Sequence, residues 1–228
     1  SAAGEVSNIK KVVSPFLAFD FNSTMIYIDF SRDEYKLGGS SFAQVNGKVG
    51  TDCPTIKDSN YFKTTFNAVQ ALIKEGLVQA GHDISAGGLI TALLEMTFAV
   101  NDIGLDINLD TLGENDLVKL LFSENPGIVI QVNKPDEVLK KFRSEGIDAK
   151  VIGKTTKKIE FNLKQGKEKL NLSIGKLRDT WFRTSYLFDR KQSGEKLALR
   201  RFEKNWGENM IDVCLVKTSP RTARIKSS

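Results

Sequence analysis

Gly81-His82-Asp83-Ile84-Ser85-Ala86-Gly87-Gly88-Leu89 runs directly into the apolar residues 90–99 of this 228-residue chain. The stretch sets the only histidine, a carboxylate, a hydroxyl and two adjacent glycines between a short extended segment and a helix start. Glycines let a phosphate approach the backbone, and the free N–H groups and dipole of a first helical turn favour negative charge. Asp83, just upstream, is placed to hold a hard cation such as Mg²⁺ on those phosphates. Read this way, the segment is half of a nucleotide–metal site. A plain Gly-Gly turn with a structural His–Asp hydrogen bond satisfies the same pattern, so the context has to decide.

Working outward, residues 24–30 alternate, are rich in β-formers and predict a strand. Leu37-Gly38-Gly39-Ser40 follows as a turn, a candidate domain hinge, from which a helix can begin. Asp58, Ser59 or Asn60 caps a predicted helix whose apolar face is Phe62, Phe66, Val69, Leu72 and Ile73, ending at Gly76. The helix after the glycine pair carries Leu89, Ala92, Leu93 and Met96. Residues 105–109 predict a strand and 115–122 a short helix. Residues 127–132, 134–144 and 149–152 predict a strand–helix–strand unit with Gly146 ending its helix. Residues 159–163 and 170–174 predict a hairpin about Gln165-Gly166. Residues 177–189 read as an amphipathic helix. Strands alternating with helices and then closing in a hairpin predict an α+β domain, a mixed β-sheet with helices packed on it.

Composition narrows the function classes. A hydrophobic content of 40% supports a core, and no segment approaches the ~20 apolar residues that span a bilayer. Residues 1–4 are small and polar, unlike a signal peptide. Cys53 and Cys214 lack metal-ligand spacing, which predicts a reduced, cytoplasmic protein. The net charge of +5 lies in residues 187–228, with ten Lys/Arg against five Asp/Glu; residues 1–186 hold 23 of each sign. A nucleic-acid footprint belongs on a folded face, so neither nucleic acid nor membrane is an expected partner.

Residues 82–89 resemble the His-Asp-x-Ser-Asp-Gly-Gly-Leu signature of the phosphoribosylformylglycinamidine (FGAM) synthase family, large single-chain amidotransferases of purine biosynthesis. Ala86 stands where many relatives carry Asp. The likeness continues through Leu93-Leu94-Glu95-Met96-Thr97-Phe98-Ala99 and Leu121-Phe122-Ser123-Glu124-Asn125-Pro126-Gly127-Ile128-Val129-Ile130-Gln131-Val132. Upstream it includes Leu37-Gly38-Gly39-Ser40-Ser41-Phe42-Ala43-Gln44-Val45. The combination Leu-Phe-Ser-Glu-x-Pro-Gly with His-Asp-x-Ser separates this family from aminoimidazole ribonucleotide or selenophosphate synthetases, the alternatives within the same superfamily. A non-catalytic assembly module on the same fold is the alternative of another class.

The resemblance implies the fold of the C-terminal domain of the aminoimidazole ribonucleotide synthetase superfamily. It implies residues 1–177 as the C-terminal α/β domain of the synthetase portion and 178–203 as an amphipathic connecting helix; past about Glu203 the resemblance stops, and the polar composition of the chain end predicts 204–228 as a disordered tail. The family amidates formylglycinamide ribonucleotide with ATP and glutamine. By motif match, Asp83 is the Mg²⁺ ligand and Ser85 a nucleotide-phosphate contact. His82 orients the loop or touches phosphate, and Gly87 and Gly88 permit close backbone approach. The bound nucleotide is ATP, or ADP at an auxiliary structural site. Glu95 reads as solvated or as a support behind the site, and Glu124 as a turn cap or a site carboxylate. No catalytic residue is assigned: a glutaminase nucleophile elbow and its His-x-Glu are absent from the sequence. The N-terminal synthetase half and a glutaminase domain are therefore the implied partners, and the chain alone is expected to be inactive.

Overall fold

The computed structural model describes residues 6, 8–100 and 102–204; the tail expectation for 204–228 falls almost wholly outside them. The chain divides into two compact units, meeting between Arg183 and Thr184. The first contains seven strands: β1 (Thr24–Asp29), β2 (Ala80–Asp83), β3 (Gly104–Asn108), β4 (Gly127–Val132), β5 (Ala149–Thr156), β6 (Phe161–Gln165) and β7 (Glu168–Leu172). They form one sheet in the order β2-β4-β1-β5-β3-β6-β7. Every neighbouring pair is antiparallel except β3–β6. The sheet is therefore mixed, as the sequence predicts.

Strand β1 sits between β4 and β5 and is apolar on both faces. Met25 and Tyr27 enter one core cluster, and Ile26 and Ile28 the other. That alternation follows from the two-residue period of a strand. The first cluster packs helices α3 (Gly88–Phe98) and α4 (Leu117–Phe122) on the sheet. The second packs α2 (Ser59–Lys74) and α5 (Pro135–Ser144) on the opposite face. Units β4, α5 and β5 form the predicted strand–helix–strand, with β1 inserted between its two strands. Beyond β1 the second face turns polar. Thr24, Lys154, Asp106, Asn162 and Asn171 make one cross-strand row. Within it Asn162 donates to Asp106 (2.9 Å) and Asn171 to Asn162 (2.6 Å). A half-covered antiparallel sheet commonly faces water this way.

Three sequence expectations need correction. In α2, capped by Asp58, the buried stripe is Tyr61, Thr65, Ala68, Val69 and Leu72, while Phe66 is 48% exposed. Tyr61 turns the helix inward because its hydroxyl accepts the Asp148 N–H (3.2 Å) and Arg32 stacks on its ring. Ile159 is exposed and precedes β6. Ile174 is buried, as a strand reading requires, yet it opens helix α6 (Ile174–Ser193). Residues 41–45, entered through Ser40, form helix α1 (Ser41–Val45).

The second unit continues α6, breaks at Gly194, where φ is +84°, and resumes as α7 (Glu195–Lys204). The expected single connecting helix is thus two helices. Arg201 binds Asp189 through Nε–Oδ2 at 2.7 Å and Nη2–Oδ1 at 2.5 Å, and the Tyr186 hydroxyl donates to Glu195 at 2.8 Å.

The loop after β1 is held by polar side chains. The Asn125 amide donates to Ser31 Oγ (3.1 Å) and the Glu34 carbonyl (3.0 Å), while its own oxygen accepts from Ser123. The Asp33 side chain is 2% exposed and accepts the N–H groups of Glu34 and Thr55 (both 2.9 Å) and the Lys36 ammonium (3.3 Å). Burial opposes ionisation of Asp33. The Thr55 and Glu34 amides and the Lys36 charge outweigh it and hold the carboxyl at about 2 rather than 3.8. A depressed carboxyl pKa contributes stability above the unfolded value and loses it as pH falls through the folded one. Asp33→Asn is expected to cost about 1–3 kcal/mol at neutral pH. The gap in melting temperature to wild type should close as pH falls from about 4 toward 2. Calorimetric melts across that range check it, and a gap independent of pH would contradict the charge assignment.

Candidate functional site

The signature begins on an edge strand. Residues 80–83 pair in register with 131–128 of β4, and Ser14 makes one parallel bridge to Ala80 on the other side. Ile84 is buried and donates its N–H to the Gly127 carbonyl (2.9 Å). Asp83 and Ser85 flank this anchor and are both exposed, the Asp83 side chain at 77%. The two residues matched to metal and phosphate therefore stand together on one lip of the sheet.

The glycines that follow are required by the backbone. Gly87 and Gly88 have φ of +90° and +73°, which glycine adopts without steric cost. A Cβ at Gly88 would lie 2.6 Å from the Leu121 carbonyl oxygen, and one at Gly87 would lie 2.3 Å from Thr91 Oγ1. Gly87 is the N-cap of α3, and its N–H is not free: it donates to Glu124 Oε1 (2.8 Å), while Gly88 donates to the Ser85 carbonyl (3.0 Å). Both glycine amides of this turn are thus engaged within the protein. The same Glu124 oxygen accepts the Ser41 N–H (2.7 Å), so one carboxylate serves the starts of α1 and α3. Negative charge at a helix N-terminus is favourable, and here the protein supplies it. Gly38 and Gly39 are likewise fixed, donating to Asp52 (3.0 Å) and Val49 (2.7 Å) carbonyls. Those bonds make a pinned turn of the predicted hinge.

His82 is held at both ring nitrogens. Nδ1 faces the Asp83 carbonyl oxygen (2.8 Å), and Nε2 lies 3.3 Å from Glu95 Oε2. The nearer Asp83 carboxylate oxygen is 3.6 Å from Nδ1. Glu95 Oε1 accepts the indole N–H of Trp181 on α6 (2.9 Å). Glu95 is therefore engaged on both oxygens, which removes the solvated reading. Neither Trp181 nor the bridging role of Glu124 was legible in sequence, because both contacts join elements distant along the chain.

Among the described residues, no group of three or more His, Cys, Asp or Glu side chains is gathered to hold a metal ion. Asp83 offers one exposed carboxylate. Mg²⁺ at phosphate sites is commonly held by one or two carboxylates together with phosphate oxygens and water, so the residue fits an ion shared with a nucleotide. Asp83 and Ser85 are both exposed, His82 lies beside the Asp83 carboxylate, and Gly87 and Gly88 form the turn that follows. No described helix is long and apolar enough to cross a membrane.

The chain is 39% identical over 215 residues to the probable phosphoribosylformylglycinamidine synthase, chloroplastic/mitochondrial, of Arabidopsis thaliana, covering 90% of this chain and 15% of that protein. It is 35% identical over 201 residues to the probable enzyme of that name from Caenorhabditis elegans (79% and 15% covered). It is 32% identical over 234 residues to the human phosphoribosylformylglycinamidine synthase (98% and 17% covered). The chain thus spans about one sixth of the length of these relatives. In fold it is similar to T. maritima PurL complexed with ATP, with a TM-score of 0.59 at 16% identity over 75% of this chain and 28% of that one. Residues 34–164 match the family described as AIR synthase related protein, C-terminal domain. That span carries five of the seven strands in whole or nearly so and the whole signature turn, and the chain belongs to this family.

Proposed function

We propose that the chain is the C-terminal α/β part of the synthetase portion of an FGAM synthase, with residues 1–177 as that domain, 178–203 as a connector and 204–228 as a tail. The observation that carries it is the 39% identity over 215 residues to the Arabidopsis protein, alongside an exposed Asp83–Ser85 lip. The whole enzyme would use ATP and glutamine to amidate formylglycinamide ribonucleotide. Its N-terminal synthetase half and glutaminase domain would be the partners of this chain. The setting is cytoplasmic in this reading, although the Arabidopsis relative is named chloroplastic/mitochondrial.

Within that reading Asp83 is the Mg²⁺ ligand, Ser85 donates its hydroxyl to nucleotide phosphate, and His82 sits beside them as a positioning or phosphate-contacting group. Magnesium, when bound, neutralises phosphate charge. The chain's residues hold and orient that charge at the sheet edge, and no group here is assigned a proton-transfer step. Gly88 allows the turn to lie close on α4, so any phosphate approaches past a turn whose Gly87 amide already binds Glu124. The bound nucleotide is ATP, or ADP in a structural role.

Asp83→Asn separates the metal reading from a structural one. Asp83 does not cap α3, since Gly87 occupies the N-cap without a side-chain bond. The substitution is expected to leave the melting temperature nearly unchanged. In the intact enzyme it should weaken ADP–Mg²⁺ binding roughly ten- to hundredfold, because an amide keeps the shape but loses charge and a hard oxygen. Unaltered nucleotide retention with a lowered melting temperature would make the motif structural. A second expectation concerns the chain by itself: purified, it should show no ATP-dependent turnover of formylglycinamide ribonucleotide with ammonia or glutamine. Reacting groups have to be completed by the partner half, and measurable turnover would overturn the division of the site.

A further inference from the structure

Strand β2 has one continuous neighbour. It pairs along its length with β4, while the other side receives a single bridge at Ala80. The main chain at His82 and Asp83 is therefore bonded on one side by the sheet and needs support from elsewhere. That support is a side-chain bridge. The Glu95 carboxylate divides its oxygens, Oε2 toward His82 Nε2 at 3.3 Å and Oε1 to the Trp181 indole N–H at 2.9 Å. His82 in turn places Nδ1 against the Asp83 carbonyl oxygen at 2.8 Å. A path of polar contacts thus runs from α6 through α3 to the backbone of Asp83.

The middle of this path is anchored in the core, while Trp181 at its far end is half exposed. Glu95 stands on α3 between Leu93 and Met96, each fully buried. Trp181 packs its ring near Phe98 (5.9 Å between centroids), and α6 begins at buried Ile174. We propose that Glu95 is a positioning residue for the signature strand: it fixes the His82 ring and, through it, the backbone of Asp83, and it makes that position depend on Trp181 of α6. The functional consequence rests on the reading of Asp83 as a metal–nucleotide contact; the structural bridge does not. Substituents behind a metal ligand orient it, and their loss typically costs ten- to hundredfold in affinity.

The bridge has a polarity that can be tested. A carboxylate only accepts, so Glu95 takes the N–H of Trp181 on Oε1 and sets Oε2 at 3.3 Å from His82 Nε2. In Glu95→Gln the amide oxygen still accepts from Trp181, and the amide nitrogen becomes a donor toward His82, requiring Nε2 to accept. The chain contains one histidine and two tryptophans, Trp181 and Trp206, so ring and indole ¹⁵N resonances are readily assigned. Spectra are compared for wild type, Glu95→Gln, Glu95→Ala, Trp181→Phe and the Glu95→Ala/Trp181→Phe double variant. Trp181→Phe is expected to move the His82 ring nitrogens, and the same change in the Glu95→Ala background to move them no further. Glu95→Gln should displace the Nε2 resonance while the Trp181 indole signal stays near its wild-type position. Unmoved His82 signals in Trp181→Phe, or effects that simply add, overturn the bridge. In the intact enzyme, Glu95→Ala should weaken ADP–Mg²⁺ binding roughly tenfold with little change in melting temperature. Unchanged affinity there, with Asp83→Asn weakened, overturns the positioning role. Unchanged affinity in both variants places the failure in the nucleotide reading, and the bridge is then judged by the spectra alone.

Discussion

The pairing of β4 with both β1 and β2 fixes where the chemistry stands. Ile26 opposes Ile130, and Ile130 opposes Gly81, so the central strand, its neighbour and the signature strand share one register. Strand β1 is buried on both faces, which gives the register little freedom. A one-residue slip would drive every side chain of β1 into the opposite cluster. His82 opposite Val129 and Asp83 opposite Ile128 inherit that constraint. The exposed lip is positioned by apolar packing that contains no functional residue.

A second constraint acts at the turn. The site of a Cβ on Gly88 is filled by backbone of Leu121 and Phe122, so the start of α3 lies directly on the end of α4. Glu124 follows α4 and reaches back to the Gly87 amide, closing the same junction from the polar side. The glycines in this motif consequently serve packing first, and Glu124 supplies the negative charge that a helix start favours. Sequence presents the glycine pair and the Leu-Phe-Ser-Glu segment as separate motifs. In three dimensions they form one joint.

Much of the fold was legible because strand and helix periods are written in local order. Residues 127–132 were predicted as a strand with the observed limits, and the α5 helix and the β6–β7 hairpin were placed to within a few residues. Sheet order was not legible: inserting β1 between β4 and β5, and pairing β3 parallel with β6, are decisions made by long-range packing. Phe66 misled because hydrophobic size alone does not tell which face turns inward; Tyr61 does, through a hydroxyl bond to Asp148 that only the fold creates. The motif residues His82, Asp83 and Ser85 were legible as a group. The partners of Glu95 and Glu124, Trp181 and Ser41, were not, since each pair is far apart along the chain.

The three carboxylates around the signature differ in what they have already bound. One oxygen of Glu124 accepts two backbone amides, and both oxygens of Glu95 face side-chain nitrogens. An added cation at Glu95 would have to displace protein donors, and a hydrogen bond to a charged group is worth about 1.5–3 kcal/mol. Asp83 has its side chain 77% exposed and makes one 3.6 Å approach to His82. Its oxygens are solvated, so a metal ion replaces water instead of protein. Exposure therefore separates the carboxylate suited to ligand exchange from the two that hold the frame.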